Sequence, residues 1–285
     1  MATPKRVDAS GYTLRVRSIA GIESCCYVDS IDVAFDLGCL IDHVVNKSHV
    51  FITHGHVDHI GAIVPHAAQR ALRRQPPAQY YVPTHLVDPL ERMLQSARAM
   101  QGDDAAFPVR IVPLEAFDEV QLSPKLVVRA VPTTHRVPSL GYIVYEKKSK
   151  LKPAYEHLSG RAIAALKRAG TDVSSVEVTP EIAYTGDTTI ETFTRAVDDE
   201  QTMDLLRAKV LITEATYVDS AMTVQDAVDR GHIHLDQLAA HAQIFRQVGA
   251  LVLVHFSARY NASQVAASVK SRVPAFLRRK IKLGC

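Results

Sequence analysis

Short apolar segments with the spacing of strands and of helices alternate along the first hundred residues. Residues 12–37 and 49–53 have a strand-like pattern, whereas residues 63–75 have a helical pattern that Pro76 and Pro77 bring to an end. A strand is then predicted at 79–82 and an amphipathic helix at 88–100. This alternation of strands and helices is typical of an α/β fold.

The rest of the chain continues with strands before it returns to helices. Four strand candidates in succession predict a mostly antiparallel region, at residues 109–112, 119–122, 126–131 and 141–145. Later strands are predicted at 182–185, 210–213 and 251–254, and helices at 221–230, 235–248 and 263–269. Since no internal repeat or long linker interrupts the pattern, we expect residues 1–285 to form a single domain.

A basic segment is inserted between two of these strands. Residues 146–170 contain seven bases and two acids, a local charge of +5 that exceeds the +3 of the whole chain. Leu158, Ile163 and Leu166 predict a small helix within it. From charge alone, an arm that touches a polyanion and an ordinary solvated insertion are equally good interpretations.

Composition narrows the class of protein only slightly. Hydrophobic residues at 47% and charged residues at 22% are ordinary for a globular protein, and the mild positive charge permits an anionic partner without requiring one. The first ten residues contain no hydrophobic signal core, and no apolar run approaches the roughly 20 residues that cross a bilayer. We therefore expect a cytoplasmic protein without a membrane partner. The four cysteines lack metal-site spacing and are interpreted as reduced thiols.

The strongest chemical signal is a histidine motif that follows the strand at 49–53. It reads Thr-His-Gly-His-Val-Asp-His and supplies His54, His56, Asp58 and His59 in the loop before the next helix. Two imidazoles two positions apart on an extended segment point the same way, whereas Asp58 and His59 follow after the backbone has turned. One loop can therefore begin two metal sites.

Three further candidate ligands, His135, Asp187 and His255, also lie just after predicted strands. At such positions a sheet holds the backbone and the side chain reaches past its edge. The predicted ligand sets are His54, His56 and His135 for one metal, Asp58, His59 and His255 for the other, and Asp187 as a bridge. Nitrogen and oxygen ligands without thiolate suit Zn²⁺, with Mn²⁺, Fe²⁺ or Co²⁺ as alternatives. Two ions roughly 3.5–4 Å apart stabilise the attacking and leaving oxygens of a phosphoryl displacement, so the set predicts a hydrolase.

Two more residues are candidates for proton transfer. Glu214 ends the strand at 210–213, and His232 lies in the turn between two predicted helices. A carboxylate that orients an imidazole makes a general acid. On spacing alone, His234 is an equal rival for this role.

The chain from residue 12 to residue 260 resembles the tRNase Z family of the metallo-β-lactamase superfamily, in the short form found in plants. The motifs that carry the resemblance are Thr-His-Gly-His-Val-Asp-His-Ile-Gly from residue 53, Tyr-Thr-Gly-Asp-Thr from 184, Thr-Glu-Ala-Thr-Tyr from 213, Gly-His-Ile-His from 231 and His-Phe-Ser-Ala-Arg-Tyr from 255. The first motif marks only the superfamily. The last motif, together with Gly-His and Glu-Ala-Thr, narrows the resemblance to the family.

This resemblance implies a four-layer αβ/βα sandwich with two Zn²⁺ per subunit and an endoribonuclease that removes the 3′ trailer of precursor tRNA, leaving a 3′-hydroxyl. Asp58 would be both a metal ligand and the base, and His232, held by Glu214, would protonate the leaving oxygen. Ser257 and Arg259 would lie near the scissile phosphate. Residues 146–170 stand where the family inserts an arm that grips tRNA from the other subunit of a homodimer, which makes Lys148, Lys150 and Lys152 candidate RNA contacts.

The chain also departs from the family pattern. Thr213 replaces the histidine of a His-Glu-Ala-Thr motif, Ile233 and His234 replace Ser-Thr, and no Pro-x-Lys-x-Arg-Asn loop occurs near residues 18–25. Two other functions therefore remain alternatives. One is a dinuclear-metal hydrolase of a small thioester, lactone or phosphodiester, and the other is a tRNA-binding protein without catalysis. A polyanion should bind with a steep salt dependence and a small ester should not.

Overall fold

A computed structural model describes residues 2–103 and 106–285, and its strands form two sheets that face each other. The strands of the first sheet are β1 (Lys5–Ala9), β2 (Tyr12–Ala20), β3 (Glu23–Val28), β4 (Val33–Phe35), β5 (His49–Phe51), β6 (Gln79–Pro83), β7 (Arg110–Leu114) and β14 (Phe256–Ser257). Those of the second are β8 (Glu119–Ser123), β9 (Leu126–Thr133), β10 (Ser139–Leu151), β11 (Ser174–Tyr184), β12 (Val210–Glu214), β13 (Ala250–Val254) and β15 (Ile281–Leu283).

Helices cover the outer face of each sheet. On the first sheet lie α1 (Val57–Ile60), α2 (Ile63–Leu72) and α3 (Val87–Gln101). On the second lie α5 (Glu191–Ala196), α7 (Leu235–Ala240), α8 (Ala262–Arg272) and α9 (Ala275–Arg278), with α6 (Val224–Asp229) beside α7. One further helix, α4 (Gly160–Arg168), belongs to the inserted segment. Short 3₁₀ segments occur at Val44–Asn46, Thr84–Leu86, Pro153–Tyr155, Met203–Leu206 and Ala242–Arg246.

The core therefore has three apolar interfaces. Phe35 and Phe51 of the first sheet pack against Tyr142 and Val252 of the second between the sheets. The outer interfaces are formed by α2 and α3 on one side, and by α5, α7, α8 and α9 on the other. This helix–sheet–sheet–helix order confirms the predicted four-layer αβ/βα sandwich.

The strand directions bring several strand ends to one edge of the sandwich. β4 and β5 are parallel neighbours in the first sheet, and β11, β12 and β13 are parallel neighbours in the second. Because parallel strands end at the same edge, the residues that follow them come close together. The predicted site residues lie along this edge.

Some predicted elements differ from the structure. The strand predicted at 109–112 lies in β7, which pairs in parallel with β6 in the first sheet, so its assignment to the antiparallel region was wrong. The helix predicted at 235–248 ends at Ala240 and gives way to the 3₁₀ segment Ala242–Arg246. The helix predicted at 221–230 begins only at Val224, because the Thr223 side chain caps it together with Asp226.

The inserted segment is a two-stranded ribbon with a helix at its end. β10 and β11 continue past the sheet as antiparallel partners as far as Leu151 and Ser174, with α4 beyond them. The ribbon therefore extends past residue 170, and the added residues include two acids that the predicted +5 charge did not include, Asp172 and Glu177. We refer to residues 146–179 as the arm.

Candidate metal centre

The histidine motif lies directly after β5, but only part of it is a loop. His54 and His56 lie on an extended segment, whereas Asp58 and His59 lie on the short helix α1. The prediction that the whole motif forms the connecting loop was therefore wrong, although the change of direction after His56 is present. Because of that change of direction, His54 and His56 belong to one ligand group, and Asp58 and His59 belong to the other.

The first ligand group consists of His54, His56 and His135. The Nε2 atom of His54 lies 2.9 Å from Nδ1 of His56, and Nε2 of His135 lies 3.4 Å from the same atom. Burial lowers the pKa of all three imidazoles, for His54 to about 2 with a further contribution from His59. Three neutral imidazoles therefore converge, and the neutral form is the one that binds metal.

The second ligand group consists of Asp58, His59 and His255. Nε2 of His255 lies 3.3 Å from Oδ2 of Asp58 and 3.4 Å from Nε2 of His59. Asp187 lies between the two groups, with Oδ2 at 3.9 Å from Nε2 of His54 and Oδ1 at 3.2 Å from Nε2 of His59. The structure thus brings all seven predicted ligands together.

Asp187 provides a test of whether these residues fit metal ions. Its Oδ1 atom is buried and has no hydrogen-bond partner among the described residues. Burial alone would raise the pKa of this carboxyl, but His255 and His59 hold it well below its ordinary value. An ionised, buried oxygen without a donor is costly unless a cation meets it. Together with ligand atoms that lie within 4.8 Å of one another in each group, this fits divalent ions.

Asp36 orients the second group and was not predicted as a site residue. Its carboxylate accepts hydrogen bonds from Nδ1 of His59 at 2.7 Å, the Tyr184 hydroxyl at 2.8 Å and the Thr53 backbone N–H at 2.8 Å. Because the Nδ1 proton of His59 is held in this way, its Nε2 faces Asp58 and Asp187. The signal that could have revealed Asp36 is its place directly after β4, the same position that marks the predicted ligands.

The first group has equivalent supports. Nδ1 of His135 donates to the carbonyl oxygen of Gly231 at 2.8 Å, and Nδ1 of His54 lies 3.0 Å from the Thr53 hydroxyl. Gly186, which precedes Asp187, has a φ of +61°, and a side chain there would meet Thr53 at 2.5 Å. Glycine at this position therefore allows the segment that carries Asp187 to pack closely against Thr53.

Asp58 is held by the backbone as well as by histidines. The backbone N–H of Gly21, in the turn between β2 and β3, donates to Oδ2 of Asp58 at 2.9 Å. Burial alone would raise the pKa of Asp58, but the hydrogen bond with His255 and the charge of His59 lower it to about 2. A backbone donor leaves no mark in residue types, so sequence reasoning could not have found Gly21.

His232, rather than His234, contacts Glu214. Nδ1 of His232 lies 2.8 Å from Oε1 of Glu214, which is fully buried. Burial alone would lower the pKa of His232, but the charge and hydrogen bond of Glu214 raise it to about 9. His234 instead caps α7 through Nδ1 and directs its Nε2 at the backbone oxygen of Asp219, 2.8 Å away. The geometry therefore separates two histidines that the sequence left equal.

The predicted substrate contacts lie farther from the ligand groups. Ser257 is in β14, two residues after His255, and Nε of the exposed Arg259 lies 3.3 Å from its hydroxyl. In the arm, each of the three predicted lysines pairs with an acid, Lys148 with Glu146, Lys150 with Glu177 and Lys152 with Asp172. Their roles in RNA binding remain predictions.

Two other histidines have the structural roles expected of residues outside the motif. His66 is buried, with Nδ1 at 2.7 Å from the Tyr80 hydroxyl, and His49 lies 3.0 Å from the Tyr81 hydroxyl. Neither approaches the ligand groups. Among the helices that the structure describes, none is both long and apolar enough to cross a membrane.

Known proteins are similar to this chain in fold and, over most of its length, in sequence. Residues 41–256 match the family model described as a beta-lactamase superfamily domain, which assigns the protein to that superfamily. Its fold is similar to that of the metallo-beta-lactamase fold protein YhfI from Bacillus subtilis, with a TM-score of 0.60, 14% identity and 95% of each chain covered.

Closer sequence similarity is found with two plant proteins. The chain is 35% identical over 274 residues to tRNase Z TRZ1 of Arabidopsis thaliana, which covers 96% of this chain and 95% of the relative. It is also 35% identical over 265 residues to tRNase Z TRZ2, chloroplastic, of the same plant, covering 93% and 73% respectively. The chain belongs to the tRNase Z family.

Proposed function

We propose that the protein is a metal-dependent endoribonuclease that removes the 3′ trailer of precursor tRNA. The observation that carries this proposal is the assembly of two ligand groups around Asp187 with the His232–Glu214 pair at their side. Membership of the tRNase Z family, with relatives that match nearly the whole chain, supports the choice of substrate. The alternative, a hydrolase of a small ester, has no comparable support.

The cofactor that the donor set favours is Zn²⁺, two ions per subunit, with Mn²⁺ or another divalent ion as an alternative. His54, His56 and His135 would hold one ion, Asp58, His59 and His255 the other, and Asp187 would bridge them. When bound, such ions lower the pKa of water and stabilise charge on the attacking and leaving oxygens of a phosphoryl transfer.

The protein residues supply the proton transfers. Asp58 is ionised, with a pKa lowered to about 2 despite burial, by the hydrogen bond with His255 and the charge of His59, so it can accept a proton from the attacking water. His232 donates its Nδ1–H hydrogen bond to Glu214, so the proton on Nε2 is available for the departing ribose oxygen. The product is then a tRNA with a 3′-hydroxyl.

We assign recognition of tRNA to the surfaces around the edge of the sandwich that holds the two ligand groups. Ser257 and Arg259 lie next to His255 in the chain and could contact the scissile phosphate. The arm contributes Lys148, Lys150 and Lys152, whose ammonium groups stay partly exposed beside their acidic partners. In the described part of the chain, Arg161 and Lys167 of α4 form no ion pair, which leaves their charge free for phosphate.

Assembly and location follow the resemblance to the family. A homodimer would let the arm of one subunit hold the tRNA that the other subunit cuts. A cytoplasmic location is the prediction from the sequence, and one relative is named as chloroplastic. Light scattering at several protein concentrations tests the homodimer, and fractionation of cells tests the location.

The proposal is tested by incubating the purified protein and Zn²⁺ or Mn²⁺ with a precursor tRNA labelled at its 5′ end. We expect one cut directly after the discriminator base and a 3′-hydroxyl on the tRNA. Asp58→Ala should abolish the cut and leave the far-ultraviolet circular dichroism unchanged. An intact substrate after incubation with fully metal-loaded wild-type protein would refute the function.

A further inference from the structure

The Thr216 hydroxyl lies between the two halves of the site. Thr216 follows Glu214 by two residues at the end of β12 and is 1% exposed. Its Oγ1 lies 2.5 Å from Oε2 of Glu214, 3.2 Å from Nδ1 of His255 and 3.0 Å from the backbone oxygen of His255. One hydroxyl therefore touches both the partner of His232 and a predicted metal ligand.

The Thr216 hydroxyl has a single proton, which limits the roles it can take in its three contacts. A hydroxyl has one proton to donate and can accept through its lone pairs. Two acceptors compete for that proton, and the Glu214 carboxylate is both charged and closer than the backbone oxygen of His255. A separation of 2.5 Å is typical of an O–H donor to a carboxylate, so the proton lies on the Glu214 side.

With its proton committed, Thr216 can only accept from His255. His255 must then carry a proton on Nδ1, directed at Oγ1 of Thr216. Oδ1 of Asp187 lies 3.3 Å from the same nitrogen but has no hydrogen-bond partner in the described residues, so it is not the acceptor. The other ring nitrogen, Nε2, faces Asp58 and His59.

Glu214 depends on the same hydroxyl. Its Oε1 accepts from Nδ1 of His232 and from the backbone N–H of Thr188, both at 2.8 Å. Its Oε2 accepts from the backbone N–H of Ile233 at 3.1 Å and from Thr216. Two of these four donors belong to the backbone, so Thr216 is the one donor besides His232 itself that a substitution can remove without moving the backbone.

We propose that Thr216 is a positioning residue that, through one hydroxyl, fixes the Glu214 carboxylate behind His232 and holds the His255 imidazole at Nδ1 so that Nε2 faces the second ligand group. This inference rests on the proposed function for its consequence in cleavage. Its consequence for metal binding does not depend on the substrate. A hydrogen bond that orients a ligating histidine raises the affinity of the site for metal, so its loss should weaken metal binding.

The test compares Thr216→Val, which keeps the shape and removes the hydroxyl, with Thr216→Ser, which keeps the hydroxyl. The matched control is Thr213→Val, because Thr213 lies on β12 three residues before Thr216, is fully buried and accepts a hydrogen bond from the Thr185 hydroxyl at 2.9 Å. Zn²⁺ affinity is measured by competition with a chelator. Cleavage of precursor tRNA is measured as kcat and KM separately, and thermal unfolding reports on folding.

We expect Thr216→Val to weaken Zn²⁺ binding at the second ligand group by about 10- to 100-fold. It should lower kcat and leave KM unchanged, while Thr216→Ser restores both properties and Thr213→Val changes neither. Equal Zn²⁺ affinity in Thr216→Val and the wild type would overturn the inference. If the valine variant binds Zn²⁺ weakly and the wild type cuts no precursor tRNA, the function fails and the inference stands.

A second measurement needs no substitution. Histidine ¹⁵N chemical shifts of the wild-type protein distinguish a proton on Nδ1 from one on Nε2, and we expect His255 to carry it on Nδ1. A His255 without a proton on Nδ1 would overturn the inference even if Thr216→Val does not fold.

Discussion

The metal centre and the arm both bring acids and bases together, but they do so in opposite surroundings. In the centre, the side chains of His59 and Asp187 are 1% and 3% exposed, and each contacts several others. In the arm, the side chains of Lys150 and Glu177 are 58% and 44% exposed and form a single pair. The same chemical types of residue are therefore fixed in one region and solvated in the other.

This difference explains what each region can do. A buried carboxylate such as Asp36 or Glu214 is held by several donors, so it can fix the direction of one imidazole at all times. An exposed pair is screened by water and salt and exchanges partners readily. Such a pair can release its lysine to a phosphate. We therefore propose that precise chemistry belongs to the centre and salt-dependent attraction of RNA to the arm.

The strongest challenge to this comparison is Asp187→Asn. The substitution keeps the shape and removes the negative charge that faces both ligand groups, so we expect loss of bound metal and no detectable cleavage. Elemental analysis and cleavage of precursor tRNA measure the two effects. Asp229→Asn, which changes an exposed acid of α6, is the matched control and should behave like the wild type. Full metal content and activity in Asp187→Asn would contradict the assigned centre.

His232→Gln tests the proton donor alone. We expect kcat for cleavage to fall by about 10²- to 10⁴-fold, the usual contribution of a general acid, while metal content stays unchanged. His234→Asn is the control, because asparagine can still cap α7. A larger loss in His234→Asn than in His232→Gln, at equal thermal stability, would reverse the assignment.

The arm is tested by exchanging Lys148, Lys150 and Lys152 for glutamine together. We expect a higher KM for precursor tRNA and an unchanged kcat, because binding is weakened at a distance from the chemistry. The slope of log affinity against log salt should become shallower by about 0.7–0.9 for each phosphate that the protein no longer neutralises. The control is Arg73→Gln with Arg74→Gln, two exposed bases at the end of α2. An unchanged salt slope in the lysine variant would remove these lysines from the RNA contacts.

A charge-neutral variant sharpens the same comparison. Lys150→Gln combined with Glu177→Gln removes one ion pair and leaves the net charge of the arm as it was. If Lys150 binds phosphate directly, KM still rises. If it only balances Glu177, KM stays at the wild-type value.

The smallest expected effect lies at the root of the arm, where Glu181 is buried beside Lys209. Burial alone would raise the pKa of Glu181, but hydrogen bonds from Lys209, Thr179 and Tyr12 lower it below the ordinary 4.5. A lowered pKa in the folded state contributes stability above the unfolded pKa, and this stability is lost as the pH falls through the folded value. Glu181→Gln should therefore reduce the loss of thermal stability between neutral pH and pH below 4.5. An identical acid dependence in both proteins would contradict this role.

Some residues of the centre could be predicted from the sequence and others could not. The ligands could be predicted because each follows an apolar strand, and parallel strands have their ends at a common edge of the sheet. Glu214 and His232 could be paired only through the resemblance to the family, since their 18 positions of separation leave the distance open and His234 was an equal candidate. Gly21 donates through its backbone, and Thr216 acts through a hydroxyl whose partners come from two different strands.

The arm was less predictable for a physical reason. Val176 and Val178 alternate with polar residues as in a strand, but both are exposed, at 64% and 49%. Because this part of β11 is not buried, its sequence lacks the run of apolar residues by which the core strands were predicted. The acids on this return strand were therefore missed, and with them the ion pairs that offset the lysines.

We propose that one buried edge holds two metal positions and that both are needed to cut precursor tRNA. The most direct measurement removes metal with a chelator, adds Zn²⁺ back in counted equivalents and follows the rate of a mapped cut. We expect no cleavage by the stripped protein and recovery that reaches its maximum at two equivalents per chain. Full cleavage by the stripped protein, or a maximum at one equivalent, would contradict it.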